Sequence, residues 1–595
     1  MSTKPPVVLA LAERARPIAE QAAVACKAEL CLPARADDIR AAFTQGRPIV
    51  AVMAVGALAR IVAPLLEGKQ QDPPVIAVSE DGGAVVPVFG GHHGGNDLAR
   101  KIGEAIGAVP AITTASDLAF GVALDDPPAG YTLINPEDVK SAVTSVLDGR
   151  PVQRDGAASW LDPVPTADDG VWRLTVTTRD RMPAPQELLY VERRHVLGMG
   201  CERGCSVGAA RDIASQAIRQ AGISEHSIAA LVTIDVKADE AALHAVANEL
   251  GVPLRVFPAD VLELQANRLA NPSEVVFAEV GCHGVAEGAA LSAVGKEGSL
   301  IVPKIKNAHA TAAVARAPTV LHAEETGRGQ GTLFVVGLGP GQPEWRSPEV
   351  SRMLMEATDW VGYSLYLDLA GDLNTAGAKT RHDFPLGDEE KRVRHALELA
   401  GEGRTVALIC SGDAGIYAMA TLVFEAIDGD AVSDPAKRVA IEVSPGISAL
   451  QAAAARAGAP LGHDFCTISL SDLLTPWDAI ERRIAAAAQG DFVIAFYNPV
   501  SKRRRTQLAH AKAVLLEHRP ADTPVVLAAS LGRPEESVHV VPLSDLEVDD
   551  VDMLTTVVVG SPESRTVKTG DGKTWVYTPR GYANKDGTRL KERQT

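Results

Sequence analysis

Short uninterrupted apolar runs recur along this chain, each followed by a glycine-rich turn or by a helical stretch, and this pattern predicts repeated βαβ units. In the first part, residues 7–11, 48–52, 74–78 and 84–88 read as strands. Residues 121–190 carry the run from Gly130 to Pro136 (GYTLINP) and a helix over 137–147. Strands over 195–199, 229–234, 254–257 and 299–302 then alternate with a helix over 239–250 and a small-residue helix that opens at Val285. Further on, the strand ending at Val336 runs into Gly337-Leu338-Gly339-Pro340-Gly341, and residues 406–410 run into Ser411-Gly412-Asp413-Ala414-Gly415-Ile416-Tyr417. A third strand, from Ile441, ends in Ser444-Pro445-Gly446-Ile447-Ser448, with Ser448 placed to cap an Ala-rich helix. A strand over 492–496 precedes a helix over 506–516. The expected fold class is α/β and multidomain.

The three glycine-rich strand ends carry the chemistry. Glycine has no Cβ and tolerates positive φ, so backbone can approach a ligand closely, and Pro340 stiffens the first turn. Gly341 follows Gly339 by two residues, which departs from the dinucleotide fingerprint. Ligands of open α/β sheets bind beyond the carboxyl ends of strands, so three such ends predict one small-molecule cleft.

At 595 residues the chain is long enough for three to four units. Hydrophobic residues make up 46%, yet no apolar run approaches the roughly 20 residues that span a bilayer, so no membrane partner is expected. The opening residues lack the pattern of a secretory signal, which predicts a cytoplasmic protein. The formal charge of −17 argues against nucleic acid. Seven cysteines in so long a chain read as thiols in a reducing compartment. Cys201 and Cys205 with Cys282-His283 could in principle offer soft ligands, but the spacing is not a usual zinc knuckle, and no metal is predicted. Gly90-Gly91-His92-His93-Gly94-Gly95-Asn96-Asp97 reads as a binding element, against a plain loop in which Asn96 or Asp97 caps the next helix. Residues 327–331 (GRGQG) read as a flexible linker.

The set GLGPG, SGDAG, SPGISALQAAAARAGAPLGHDF and FYNPVSKRR resembles the tetrapyrrole methyltransferases of cobalamin biosynthesis that use S-adenosylmethionine, most closely the precorrin-3B C(17)-methyltransferases, over residues 331–569. The resemblance implies a two-lobed methylase domain and methylation of precorrin-3B at C(17) with ring contraction to precorrin-4. It implies that Gly339, Pro340, Ser411, Gly412, Asp413, Ile416, Ser448, Ala449, Tyr497 and Leu531 line the S-adenosylmethionine pocket, largely through backbone atoms. Asp413 would accept hydrogen bonds from the donor's ribose or amino acid portion, or else is a turn residue. The tetrapyrrole substrate is polyanionic, and the basic run from Lys502 to Arg505 offers Arg503 and Arg504 as carboxylate contacts, against a solvated helix start. Ring contraction benefits from a positioned acid or base, for which Tyr417 and Asp472 rank ahead of His463. Related methyltransferases pair as homodimers, and the same is expected here.

GGHHGGNDLARKIGEAIGAVPAITTASD, GYTLINPEDVK, GMGCERGCS and GVAEGAALSAVG resemble cobalt-precorrin-5A hydrolase over residues 1–320. That family opens a corrinoid δ-lactone and releases acetaldehyde. His92, His93, Glu202, Glu287 and Lys304 have suitable chemistry, with His93 and Glu202 taken as the catalytic choices. The competing reading makes this half a noncatalytic corrinoid-binding module and the methylation substrate cobalt-factor III. The expected arrangement is a hydrolase-like N-terminal domain (1–120), a small central domain (121–190), a hydrolase-like α/β domain (191–322), the methylase domain (331–569) and a polar tail (570–595).

Overall fold

A computed structural model describes residues 5–26, 28–68, 71–91, 94–113, 121–374, 379–501 and 504–581. The chain divides into two compact units, Met1–Gly331 with Gly401–Gly403, and Thr332–Ala400 with Arg404–Thr595.

Among the described residues the first unit holds three sheets. Val7–Ala10, Ile49–Val52 and Val75–Val78 are buried along their whole length. Such runs fit parallel strands covered on both faces. With Glu29–Cys31 they form the parallel part of a six-stranded sheet, while Ala84–Phe89 pairs antiparallel with Val75–Val78. A four-stranded sheet is built from Tyr131–Leu133, Glu187–Glu192, Trp172–Thr177 and Val152–Asp155. The third sheet orders Leu254–Phe257, Ile228–Ile234 and His195–Cys201 in parallel, and closes with an antiparallel hairpin of Ala310–Arg316 and Ser299–Lys306.

The second unit has two lobes. Its first sheet is wholly parallel, in the order Thr380–Phe384, Asp359–Tyr363, Thr405–Cys410, Thr332–Gly337, Ala440–Ser444. Its second is mixed, in the order Phe465–Ser469, Val493–Tyr497, Thr555–Val559, Pro524–Ala529, Ser537–Pro542. The helix Thr506–Leu516 packs under the second sheet through Leu508, Ala511 and Leu515. Among the described residues no helix is long and apolar enough to cross a membrane.

Several expectations are corrected. The strand at 299 runs on to Lys306, because its partner, Ala310–Arg316, is a strand whose alanines hid its pattern. The helix after the histidine pair starts at Gly95 and is preceded by Gly94 at φ 86°, so Asn96 and Asp97 fall inside its first turn rather than at its cap. Asp97 there pairs with Arg100 at 2.7 Å. Residues 327–331 are not a free linker: the N–H and C=O of Arg328 exchange hydrogen bonds with Val256, at 3.0 and 2.8 Å. A side chain at Gly327 would meet the Val256 carbonyl oxygen at 2.9 Å, so glycine is needed for that close approach.

Candidate functional site

In the first lobe of the second unit the central three strands end level with one another, Gly337 opposite Cys410 and Val336 opposite both Ile409 and Ser444. Their loops are therefore delivered to one edge of the sheet. There Gly339 N–H donates to the Gly412 carbonyl at 3.1 Å, and Gly412 N–H donates back to Gly339 at 2.8 Å. Gly412 has φ 67° and Gly339 φ 78°, the left-handed region that favours glycine. The third loop presses into this pair, since a Cβ on Gly446 would lie 2.0 Å from the Gly412 carbonyl oxygen and 2.6 Å from that of Gly337.

Asp413 locks the arrangement. Its Oδ1 accepts the N–H of Gly415 at 2.8 Å and its Oδ2 the N–H of Gly446 at 3.1 Å. The carboxylate expected to receive the donor's ribose or amino acid portion thus already receives two main-chain N–H groups, one from each of two loops. Ser448 caps the helix Ala449–Ala457 with Gln451 as its reciprocal partner. The helix start lies against Gly412, whose absent Cβ would sit about 4 Å from Ala449 N and Ser448 Cα. Ser411 and Ala449 are half-buried beside this contact, and Ile416 is exposed at its rim.

The second lobe meets this cluster through Tyr497 and Leu531. Tyr497, at the end of its strand, accepts the Leu450 N–H on its hydroxyl at 3.1 Å. Burial pushes the Tyr497 phenol up, partly offset by the bonds from Leu450 and Ser448. Tyr417 sits at φ 51°, a strained position for a non-glycine residue. Its hydroxyl donates to the Thr467 carbonyl at 3.1 Å, and its ring meets Tyr497 at 5.2 Å between centroids. Leu531 is buried with Trp345, Ile447 and Tyr497. Its neighbour Gly532 comes against the first rim, with Gly341 N at 3.3 Å and Pro340 Cγ at 3.4 Å from where a Cβ would stand. Gly339, Pro340, Ser411, Gly412, Asp413, Ser448, Ala449, Tyr497 and Leu531 are thus joined in one continuous network of contacts, with Ile416 and Tyr417 exposed beside it.

Asp472 lies on the loop after Phe465–Ser469, accepting from Gln507 at 3.1 Å, with Arg504 at 3.9 Å. Arg504 is drawn inward: its guanidinium donates to Ser471 Oγ at 3.3 Å and to the Asn498 carbonyl at 3.0 Å. Its side chain braces this loop instead of standing in solvent. Arg503, His92 and His93 lie outside the described residues. His463 is exposed beside Asp464.

In the first unit, Glu202 follows the strand His195–Cys201 and takes His309 Nδ1 at 2.5 Å, while its own N–H donates to the His309 carbonyl. A carboxylate on Nδ1 fixes the imidazole tautomer and leaves Nε2 outward, which suits a general base. His309 escaped the sequence because it lies far along the chain, on the turn before Ala310–Arg316. Glu287 is different. It is buried, and its two oxygens accept the N–H groups of Ala270, Asn271 and Lys304 and the Asn271 amide, at 2.7 to 3.0 Å. Burial alone would raise its pKa, but these donors outweigh it and hold the group below the usual carboxylate range. Glu287 ties a loop to a strand, and the Lys304 ammonium donates to the Asn271 carbonyl in the same knot. Cys201 and Cys205 pack on one face of the third sheet and Cys282 on the other, so these thiols do not converge. Burial pushes the Cys201 thiol up to about 12.

Three family models match the chain: Tetrapyrrole (Corrin/Porphyrin) Methylases over residues 332–547, Cobalamin synthesis G N-terminal over 37–117, and Cobalamin synthesis G C-terminus over 195–315. A Precorrin-3B C(17)-methyltransferase of Sinorhizobium sp is 44% identical over 255 residues, covering 42% of this chain and 98% of that one. A Probable cobalt-factor III C(17)-methyltransferase of Salmonella typhimurium is 43% identical over 250 residues, covering 42% and 99%. Cobalamin biosynthesis protein CobIJ of Mycobacterium tuberculosis is 44% identical over 256 residues, covering 42% of this chain and 48% of its own, so the match spans about half of that relative.

Proposed function

Because the chain belongs to the tetrapyrrole methylase family, we propose that its second unit transfers a methyl group from S-adenosylmethionine to C(17) of precorrin-3B and promotes the accompanying ring contraction to precorrin-4 in cobalamin biosynthesis. The observation that carries this reading is the reciprocal Gly339–Gly412 pair, pressed on by Gly446 at the carboxyl ends of three adjacent parallel strands. A rim whose closest contacts are main chain, beside buried Leu531 and the Tyr417–Tyr497 pair, suits a flat nucleoside with an amino acid tail.

S-adenosylmethionine, when bound, supplies an electrophilic methyl group on a sulfonium centre. The protein's part in an in-line displacement is alignment and exclusion of water. Gly339, Pro340, Ser411, Gly412 and Asp413 form one side of the donor pocket, Ser448 and Ala449 the helix start, and Tyr497 and Leu531 the apolar wall. Tyr417, whose hydroxyl already donates a hydrogen bond across to the second lobe, is the group best placed to move a proton during ring contraction; Asp472, held by Gln507, is the second candidate.

For the first unit we propose hydrolysis of a corrinoid δ-lactone with release of acetaldehyde, with His309 as base oriented by Glu202, and His93 a further candidate. A second reading of the methylation substrate, cobalt-factor III, draws support from a relative of nearly equal identity. A homodimer formed through the methyltransferase unit and a cytoplasmic location complete the proposal. The test is incubation of the full chain with S-adenosylmethionine and either tetrapyrrole, following product mass and visible spectrum. One added methyl and the spectrum of a contracted ring with precorrin-3B supports the first reading. Turnover only with the cobalt form moves the substrate to cobalt-factor III, and turnover with neither overturns the C(17) reaction.

A further inference from the structure

Arg533 stands in the turn that follows the strand Pro524–Ala529 and abuts the Gly339-Pro340-Gly341 rim. The turn is held without its side chain. Arg533 N–H donates to Ser530 O at 3.1 Å, and Gly532 N–H to Glu536 Oε2 at 2.7 Å. Glu536, the nearby acid, is taken by Arg456 at 2.7 Å, and Arg456 lies over the Trp345 ring at 4.3 Å. Arg533 itself has no ion pair or side-chain hydrogen bond among the described residues, and its Nε is shut off from water with no partner. Other nearby arginines have partners for their terminal nitrogens: Arg346 with Asp372, Arg505 with Asp549, and Arg504 with Ser471 and Asn498, although the Nε of Arg504 is likewise unpaired.

The stem of Arg533 has been given room. A Cβ on Gly341, which has φ 152°, would lie 3.2 Å from Arg533 Cγ. The phenol of Tyr366, on the helix Ser364–Leu369, is raised by burial and feels the opposing positive charge of both Arg533 and Arg392. Arg392 is 2% exposed, and its Nε also lacks a partner. An N–H hidden from water and left unpaired is costly, and native proteins rarely keep one without a use. A guanidinium fork matches a carboxylate in two parallel bonds.

We propose that Arg533 is the carboxylate-receiving residue of the methyltransferase cleft. The inference rests on the methyltransferase reading above. Two bound molecules bring carboxylates to this site, an acidic side chain of the tetrapyrrole and the amino acid end of the methyl donor, and the experiment separates them.

Full-length R533Q and R533K are compared with wild type in three measurements: thermal midpoint, calorimetric Kd for S-adenosylhomocysteine, and KM for the tetrapyrrole that wild type turns over. R533Q is expected to fold with an unchanged or higher midpoint, since no side-chain partner among the described residues is lost. One charged hydrogen-bonding partner corresponds to roughly a 10- to 100-fold weakening, with partial recovery in R533K. A raised KM with unchanged S-adenosylhomocysteine affinity assigns the carboxylate to the tetrapyrrole, and a raised Kd for S-adenosylhomocysteine assigns it to the donor. If both constants stay at wild-type values while wild type turns over, the role of Arg533 is overturned and the methyltransferase stands. An effect seen only together with a lowered midpoint marks Arg533 as structural and also overturns the proposal. An inactive wild type overturns both readings together.

Discussion

Replacing Gly446 with alanine tests whether the donor pocket is made by main-chain contact. The new Cβ would lie 2.0 Å from the Gly412 carbonyl oxygen. Carbon–oxygen contacts settle near about 3.3 Å, so the Pro445–Ser448 loop or the Gly339–Gly412 pair has to retreat by about 1.3 Å. That retreat breaks the 3.1 Å bond from Gly446 N–H to Asp413 and with it the registration of two loops. A misplacement of about 1 Å costs on the order of 100-fold in an aligned reaction, and overpacking of this kind costs about 1–3 kcal/mol of stability. Calorimetry with S-adenosylhomocysteine, a thermal scan and methyl-transfer kinetics measure all three consequences. Gly415→Ala is the control, because a Cβ there meets only Asp413 Oδ1, at 3.3 Å, on an exposed stretch. G446A that binds and turns over like wild type, or G415A that is equally damaged, would refute the reasoning.

Tyr417→Phe removes the hydroxyl that reaches Thr467 and is expected to slow ring contraction by roughly 100-fold or more while methyl uptake continues, so the methylated, uncontracted product accumulates in the mass and visible spectra. His309→Ala and Glu202→Gln should each abolish acetaldehyde release and leave methyl transfer intact; loss of both activities would count against a local role. Glu187, 3% exposed, is held at about 2, with the Arg181 hydrogen bonds the leading cause and those from Ala184 and Thr175 added. Its pKa is depressed on folding, so its contribution is present above about 4.5 and is lost as pH falls towards 2. With Arg181 one-third exposed, the stabilisation is about 1–2 kcal/mol, and E187Q should flatten that part of the acid limb in urea titrations; a limb unchanged from wild type rejects it. Glu287→Gln places an amide against backbone donors and is expected to cost about 1–3 kcal/mol, read by denaturation.

Two parallel strands of the first lobe, Thr332–Gly337 and Thr405–Cys410, were legible because each is a continuous apolar run leading into a glycine-rich turn, and Ser448 announced the helix it caps, whereas Thr380–Phe384, polar and largely exposed at the sheet edge, and Asp359–Tyr363 escaped the sequence reading. Which loop touches which was not, since the Gly339–Gly412 exchange joins residues more than seventy positions apart. The partners of Glu287 come from two separate segments, so its role as a tie could not be separated from that of a base. His309 became visible only when the hairpin brought it to Glu202. Arg533 carries no motif; what marks it is a side chain without a partner among the described residues, a property of the folded chain alone. The tether at Arg328 was hidden because a glycine-rich stretch reads as flexible whether or not its backbone pairs with a strand.

The Gly339–Gly412–Gly446 cluster also sets how this protein could be diversified. The proposed donor site is shaped by positions that have no side chain to vary, and a Cβ at Gly446 meets main-chain oxygens at 2.0 and 2.6 Å, so substitution there is expected to disturb binding before it could alter preference. Variation in substrate choice would have to come from the periphery, where Leu473 and Leu474, 84% and 98% exposed, lie on the loop beside Asp472 with little packing to lose. A library confined to that loop would explore new macrocycles while the glycine cluster stays constant.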